Sequence, residues 1–435
     1  MVTPLVECEE DVFWYKDANN GANPLWCYGS SCIVRRDDDV FVSGLETLQD
    51  VEPLNNVRWL LYKRTAGGWE LQQRDEQGRT REPCPLGCFS DGRLLMSVNP
   101  AHVVRSRPNP AQPQILEFSA RAPQAPYRIL LPRWEGSPEF TEHSYRGLAV
   151  DGPNRELLLT CNFGYDTAYW SFLDRDGQWS AWGKIAYPWS DEHDVSLRLC
   201  YPVVSLFNRS ALIFAVSDIV EPVKEWREHK FALTQREWDY VFRRLYYAWT
   251  PDITAQPFGP WVEIANYERT AGHLHNLDVW VAHDGAAHLL WREVSLDVRL
   301  RERFFPDAVL TVSLEHGIVR EGQLVYRQTL LKGGEGLPGE IVAWGRFQAT
   351  PEGRLFVFYS VARGEDWHGA HENYLMEILP DGGHGVLVKV ELTRPFIPMF
   401  MTATERAGSP PSTIMDVLGW TSRELVIRYA RVKLL

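Results

Sequence analysis

One short unit returns seven times along this chain: a strand-like run, a tight turn and a second apolar run. The copies occupy residues 27–44 (CYGSSCIVRRDDDVFVSG), 86–99 (LGCFSDGRLLMSVN), 145–162, 201–218, 276–293, 345–360 and 400–420. A lone hairpin cannot bury its own apolar face. Hairpins recurring every roughly 40–75 residues therefore stack on one another as blades of a ring. The expected fold is all-β: a seven-bladed β-propeller of four-stranded antiparallel blades, with residues 1–435 forming a single domain. A blade of about 60 residues absorbs the whole length. No Gly/Ser-rich or Pro-rich stretch divides the chain.

The turns support this division. Ser90-Asp91-Gly92, Asp151-Gly152, Asp284-Gly285 and Glu352-Gly353 supply residues suited to tight hairpins. A second, outer hairpin follows, with a Gly-x-Trp turn at Gly67-Gly68-Trp69, Gly177-Gln178-Trp179 and Gly259-Pro260-Trp261. Residues 397–435 hold only three strands, so the stretch 2–14 is expected to supply the fourth and close the ring.

The outer turn in LDRDGQWSAW (173–182) resembles the Asp-box, or BNR repeat, of sialidase-like propellers. Asp174 and Gly177 are one residue too far apart for the strict pattern, and its Ser and Thr are absent. The resemblance covers the architecture of nearly the whole chain. It implies a carbohydrate-active enzyme of the broad group that includes sialidases, other glycoside hydrolases and ulvan-type polysaccharide lyases, with an acidic (uronate- or sialate-containing) oligo- or polysaccharide as partner.

Charge and composition narrow the classes. A net charge of −12 without a basic stripe argues against nucleic acid as the main partner. No apolar run reaches the roughly 18 residues a membrane-spanning helix needs. The start, MVTPLVECEEDVFWYKD, lacks the basic and apolar segments of a signal peptide. The expected location is cytoplasmic, or extracytoplasmic if a leader has been removed. Eighteen Trp and 17 Tyr exceed what blade packing requires and suit a sugar-stacking surface. The seven Cys read as reduced thiols; Cys27/Cys32 and Cys84/Cys88 lack the C-x2-C spacing usual for zinc. No metal or cofactor is expected, and a structural calcium in the channel stays open.

The ring converts sequence order into position. The Asp-Gly turns share one face. The opposite, working face collects the second-to-third-strand loops and the links between blades, where His, Trp and loop Arg concentrate. The 217–244 insertion lies there, and TQREWDYVFRR within it is expected to form a short helix over the rim as a lid or substrate wall.

Closest to the axis come Trp26, Tyr28, His143, Tyr145, Arg146, Arg198, Tyr201, His273, His275, Asn276, Trp344 and Arg346. A lyase must neutralise a uronate carboxylate, remove the C5 proton and protonate the leaving oxygen; Arg suits the first task, His and Tyr the others. The expected assignment is His143 as base, Tyr201 as acid and Arg146 on the carboxylate, with His275 as a further catalytic candidate. Tyr28, Glu46, Arg58, Tyr145, Asp166, Arg198, His273, Asn276, Trp344 and Arg346 are expected to contact substrate.

Two alternatives stand beside this. A hydrolase would draw on Glu46, Asp166, Asp191 and Glu192, or in the sialidase manner on an Arg58/Arg146/Arg346 triad. A non-catalytic propeller would bind a glycan or a protein without turnover.

Overall fold

In the computed structural model, which describes residues 2–102, 109–363, 370–380 and 382–435, strands pair into seven four-stranded antiparallel sheets. The innermost strands are Ile33–Arg36, Leu86–Cys88, Gly147–Asp151, Leu199–Phe207, His273–Val281, Ile341–Ala349 and Met401–Thr402. They define blades 1 to 7 in chain order. Pro4–Trp14 pairs with Val426–Leu434 as the outer strand of blade 7, so the N-terminal stretch closes the ring as expected. The Gly-x-Trp turns all lie between third and outer strands. Parts of the loops at 99–109 and 362–373, which belong to the working face, lie outside the described residues.

Blade faces pack on blade faces, so both sides of a strand are apolar. Glu156–Phe163 shows the principle. Leu157 and Leu159 pack with Leu95 and Ile115 of blade 2, whereas Leu158 packs with Val204 and Ile213 of blade 4. Period-two alternation therefore assigns successive leucines to opposite neighbours. Each buried leucine contributes about 1.5–3 kcal/mol.

Buried arginines staple the blades. Arg35 Nε lies 2.5 Å from Asp416 Oδ2, tying blade 1 to blade 7. Arg146 bridges blades 2 and 3, donating to Ser97 Oγ, Ser144 Oγ and the Pro83 carbonyl. Arg346 donates to the carbonyls of Phe400, Leu277 and Tyr28.

Two segments cross the axis and fill it. Residues 26–31 run beneath the working face: the Leu86 N–H donates to the Ser31 carbonyl, and the Leu148 N–H to Ser30 Oγ. Gly29 is required there, because a Cβ would lie 2.4 Å from the Tyr201 carbonyl oxygen. From the other face, the seventh hairpin opens into a plug spanning 403–413. Cys88 and Val150 donate their N–H groups to Ala407 and Arg406 carbonyls. At Gly408 (φ 84°) a Cβ would sit 1.9 Å from the Cys88 carbonyl oxygen. The segments meet where Arg406 Nη1 donates to the Gly29 carbonyl, 2.7 Å away. The ring thus has two separate mouths. The one on the Asp-Gly face is a cavity of about 390 Å³ lined by Phe89, Phe207, Trp280 and Glu405.

The rim helix differs from expectation. It forms at Lys224–Thr234 (α1), ahead of TQREWDYVFRR, and stops at Gln235 in the left-handed region. Residues beyond it turn back, and Tyr240–Val241 pairs with Ile219–Val220. The cause is a buried charge cluster: Lys230 Nζ reaches Glu221 at 2.6 Å and Asp239 at 2.8 Å, which pins the helix and draws the following segment inward. A second helix, Val298–Phe304 (α2), packs beside it through Phe304 and Trp226.

Candidate active-site basin

The links entering blades 3, 4, 5 and 6 bring their leading side chains to the working mouth, above the 26–31 crossing. Trp26 stacks on Tyr145 at 4.9 Å, and Tyr28 stacks on Tyr201 at 4.5 Å. The His143 ring lies 4.6 Å from Tyr145 and 5.5 Å from Trp26. Tyr201 lies 5.2 Å from Tyr145 and 5.7 Å from Trp26. The patch continues through Phe242 to His273 (5.0 Å), His275 (4.4 Å further) and Trp344 (5.7 Å beyond).

Backbone irregularity aims these groups. The inner strands of blades 4, 5 and 6 each carry a bulge near their start, at Tyr201-Pro202, Leu277 and Ala343. Bulges re-aim side chains and recur near active sites. Tyr145 (φ 35°) and Tyr201 (φ 49°) both sit in the left-handed region, which costs a non-glycine residue about 1–3 kcal/mol. Asn276 Nδ2 holds the Tyr201 carbonyl at 2.7 Å, and Tyr145 Oη donates to Asp218 Oδ2 at 2.9 Å.

Electrostatics divides the basin into defined protonation states. Burial, reinforced by Arg81 and Arg198, holds His143 well below the ordinary histidine value. Its Nε2 has no hydrogen-bond partner among the described residues. Burial and the neighbouring His273 depress His275 likewise, and its Nδ1 is also unpartnered. His273 falls to about 3 through burial, and its Nε2 lies 3.2 Å from that of His275. Burial pushes the phenols of Tyr201 and Tyr145 well above 10. Near neutrality the basin therefore presents neutral imidazoles together with neutral phenols.

Among the sequence candidates, His143, Tyr145, Tyr201, His273 and His275 share this basin. Tyr28 and Trp344 are its buried floor. The arginines lie elsewhere. Arg146 and Arg346 are 2% and 1% exposed, with their guanidinium groups spent on the staples described above. Arg146 is therefore corrected from a carboxylate binder to an inter-blade staple. A long charged side chain near the axis finds its best partners among carbonyls of adjacent blades. Arg198 is bound by Asp218 at 2.5 Å and covered by Tyr165 and Tyr240. Asn276 is fully buried and structural. Glu46 and Arg58 pair with each other at 2.7 Å across their strands, with Glu46 half-buried. Asp166 is exposed on the blade 3 loop.

Arg81 was missed. It stands five residues before the blade 2 inner strand, much as His143 stands four before that of blade 3. Applying that offset to the 79–86 link finds it. Its guanidinium lies 5.1 Å from the Trp26 ring and donates to the Asn20 carbonyl and Glu82 Oε1. It also lines a cavity of about 560 Å³ on the same face with Lys16, Asp17, Thr47 and Trp420.

The six thiols from Cys27 to Cys200 are buried and free, and Cys8 is half-buried and free. Burial holds Cys32 at about 11 and Cys84 and Cys88 at about 12. Among the described residues no three His, Cys, Asp or Glu side chains are grouped to hold a metal ion.

These features define a seven-bladed propeller with a plugged axis and an aromatic, histidine-bearing mouth. No protein-family model and no curated protein matches the chain. The polysaccharide lyase Uly1 is similar in structure, with a TM-score of 0.55 at 10% identity over 99% of this chain and 94% of that one. An α-L-arabinanase of Penicillium chrysogenum is similar at a TM-score of 0.44 and 11% identity, over 80% of this chain and 92% of that one. The likeness to Uly1, at such identity, shows the shared fold alone.

Proposed function

We propose that the protein is a carbohydrate-active enzyme that cleaves a uronate-containing polysaccharide in this basin by β-elimination. Arg81 neutralises the uronate carboxylate. The neutral imidazole of His143 takes the C5 proton, the electron pair forms the C4–C5 double bond, and the C4–O bond breaks. The Tyr201 hydroxyl gives its proton to the departing oxygen. Trp26 lies against all three groups and so joins them in one cluster. The propeller lyase named above supports the reading as a fold-level analogy.

One observation carries the proposal: an unpartnered His143 and Tyr201 pack against the same two rings, Trp26 and Tyr145, and both are held neutral by burial. An unpaired buried polar atom in a native protein calls for an explanation, and a catalytic role is one. Hydrolysis by paired carboxylates is less well supported. The acids nearest the basin, Glu82 and Asp218, are each held by an arginine.

The test is incubation with polygalacturonate, alginate, hyaluronan and ulvan. Elimination produces an ultraviolet-absorbing unsaturated uronate with each new chain end. New reducing ends without that absorbance would establish hydrolysis and overturn the reading. A polymer that binds but is never cleaved would establish a binding propeller.

A further inference from the structure

Beside the basin, over blades 3 and 4, rings are left bare that the proposed reaction does not use. Tyr165 is 48% exposed and Trp189 58% exposed. Both arise from segments that contribute nothing to ring closure. Tyr165 sits on the loop between the second and third strands of blade 3. Trp189 opens a small hairpin, Trp189–Ser190 with Val195–Ser196, in the link to blade 4. Tyr240 belongs to the other two-stranded ribbon, made by the blade 4 insertion.

These elements are joined. Tyr165 Oη and Tyr240 Oη are 3.2 Å apart. Ser196 Oγ donates to the Tyr165 carbonyl at 3.1 Å, and Ser196 is the cross-strand partner of Trp189. Such partners hold their Cβ atoms about 5 Å apart, which puts Trp189 beside Ser196 on the hairpin that meets the Tyr165 loop. Beneath them the Arg198 guanidinium lies 4.2 Å from Tyr165, 5.2 Å from Tyr240 and 5.3 Å from Tyr145. Asp218 fixes that guanidinium. Tyr165 and Tyr240 are thus braced and connect through Arg198 to Tyr145 in the basin. Rigid, exposed aromatic faces held next to a cleft are suited to stacking on the apolar faces of sugars.

We infer that Tyr165, Tyr240 and Trp189 form a shelf that binds the sugars following the cleaved linkage, so the substrate is an extended chain running from the axis across blades 3 and 4. The shelf loops carry the exposed acids Asp166, Asp191, Glu192 and Asp194, and like charges repel. The shelf therefore takes neutral sugars, while the uronate sits in the basin. The direction of the chain rests on the proposed function; the binding itself does not.

The experiment is affinity electrophoresis of the intact protein, Trp189→Ala, Tyr165→Ala and Tyr165→Phe in gels containing hyaluronan, where uronate alternates with a neutral sugar, or all-uronate polygalacturonate or alginate. The wild-type protein should be retarded more by an alternating polymer than by the all-uronate ones. Each alanine variant should weaken that retardation about three- to tenfold, while Tyr165→Phe keeps it. Circular dichroism checks that the variants fold. Equal retardation of wild type and both alanine variants, or no retardation by any polymer, overturns the shelf. If a polymer is cleaved and the alanine variants leave its KM unchanged, the shelf fails and the basin chemistry stands. If the variants lose binding to a polymer that is never cleaved, the shelf stands and the basin chemistry fails.

Discussion

At the Asp-Gly mouth, polar side chains settle their bonds within their own turns. Asp91 accepts from the Arg93 N–H, Asp151 from the Asn154 N–H, and Asp284 from the Ala286 N–H. At the other mouth, two histidine nitrogens are left without partners and two tyrosines occupy strained backbone. Both mouths sit on the same ring and are built from the same repeat. Left-handed non-glycine residues also occur at the Asp-Gly face, at Asp37, Arg155, Asn208 and Arg209, but there they are turn residues, whereas Tyr145 and Tyr201 sit just before or within inner strands. Strain placed there, beside unpaired ring nitrogens in the same basin, marks a candidate site for chemistry.

The sharpest break of this contrast is His143→Ala. It should reduce turnover about 10²–10⁴-fold while the melting temperature stays near that of the wild-type protein. A variant with full activity would take His143 out of the mechanism.

Next in size is a contrast between two arginines that share Glu82. Arg146→Met empties a buried site and leaves Glu82, Ser97 and the Pro83 carbonyl short of donors. Removing one partner of such a network costs about 3–5 kcal/mol, read as a lower denaturant midpoint. Arg81→Met should cost less stability and mainly raise KM for a uronate substrate. Reversed results would return Arg146 to the carboxylate and make Arg81 the staple.

These arginines show what the sequence could and could not say. The seven hairpins, the outer turns and the N-terminal closing strand were legible, because alternation and turn chemistry are local. The clustering of His143, Tyr145, Tyr201, His273 and His275 followed from position relative to the inner strand, which the ring geometry preserves. What lay hidden depends on contacts between blades. Nothing local to GLAV or WGRF separates an arginine facing substrate from one buried against a neighbour's carbonyls. Nor does the seventh repeat reveal that its turn lengthens into the 403–413 plug. Gly29 and Gly408 carry that information only once their neighbours are known.

A pH series sharpens the contrast further. His143 and His275 are depressed by burial, as are His273 and His316 to about 3 and His288 to about 4. The unfolded chain therefore binds more protons than the folded one below about pH 6.5. Their contribution to stability is complete above that value and is lost as pH falls toward the folded values. Each such histidine adds a slope of about 1.4 kcal/mol per pH unit inside that window. The urea midpoint should fall between pH 6.5 and 5, above the range where carboxylates titrate, and His316→Gln should flatten the fall. A midpoint level across that interval would show that the histidines are not held neutral.

The smallest effect is expected at the opposite mouth. Glu405 accepts from Trp280 Nε1 at 2.7 Å, and burial lifts its carboxyl above the usual range. Because the folded state holds that proton more tightly, the group favours folding in acid and loses that advantage as pH rises through its folded value. Glu405→Gln keeps an acceptor for Trp280 and removes the ionisation. Stability at neutral pH should change by less than about 1 kcal/mol, and turnover should not change. Glu405 belongs to the plug and lines the Asp-Gly mouth, whereas His143 lies in the basin at the working mouth. A large loss of turnover in Glu405→Gln, measured beside an active His143→Ala, would invert the comparison and move the reaction to the Asp-Gly face.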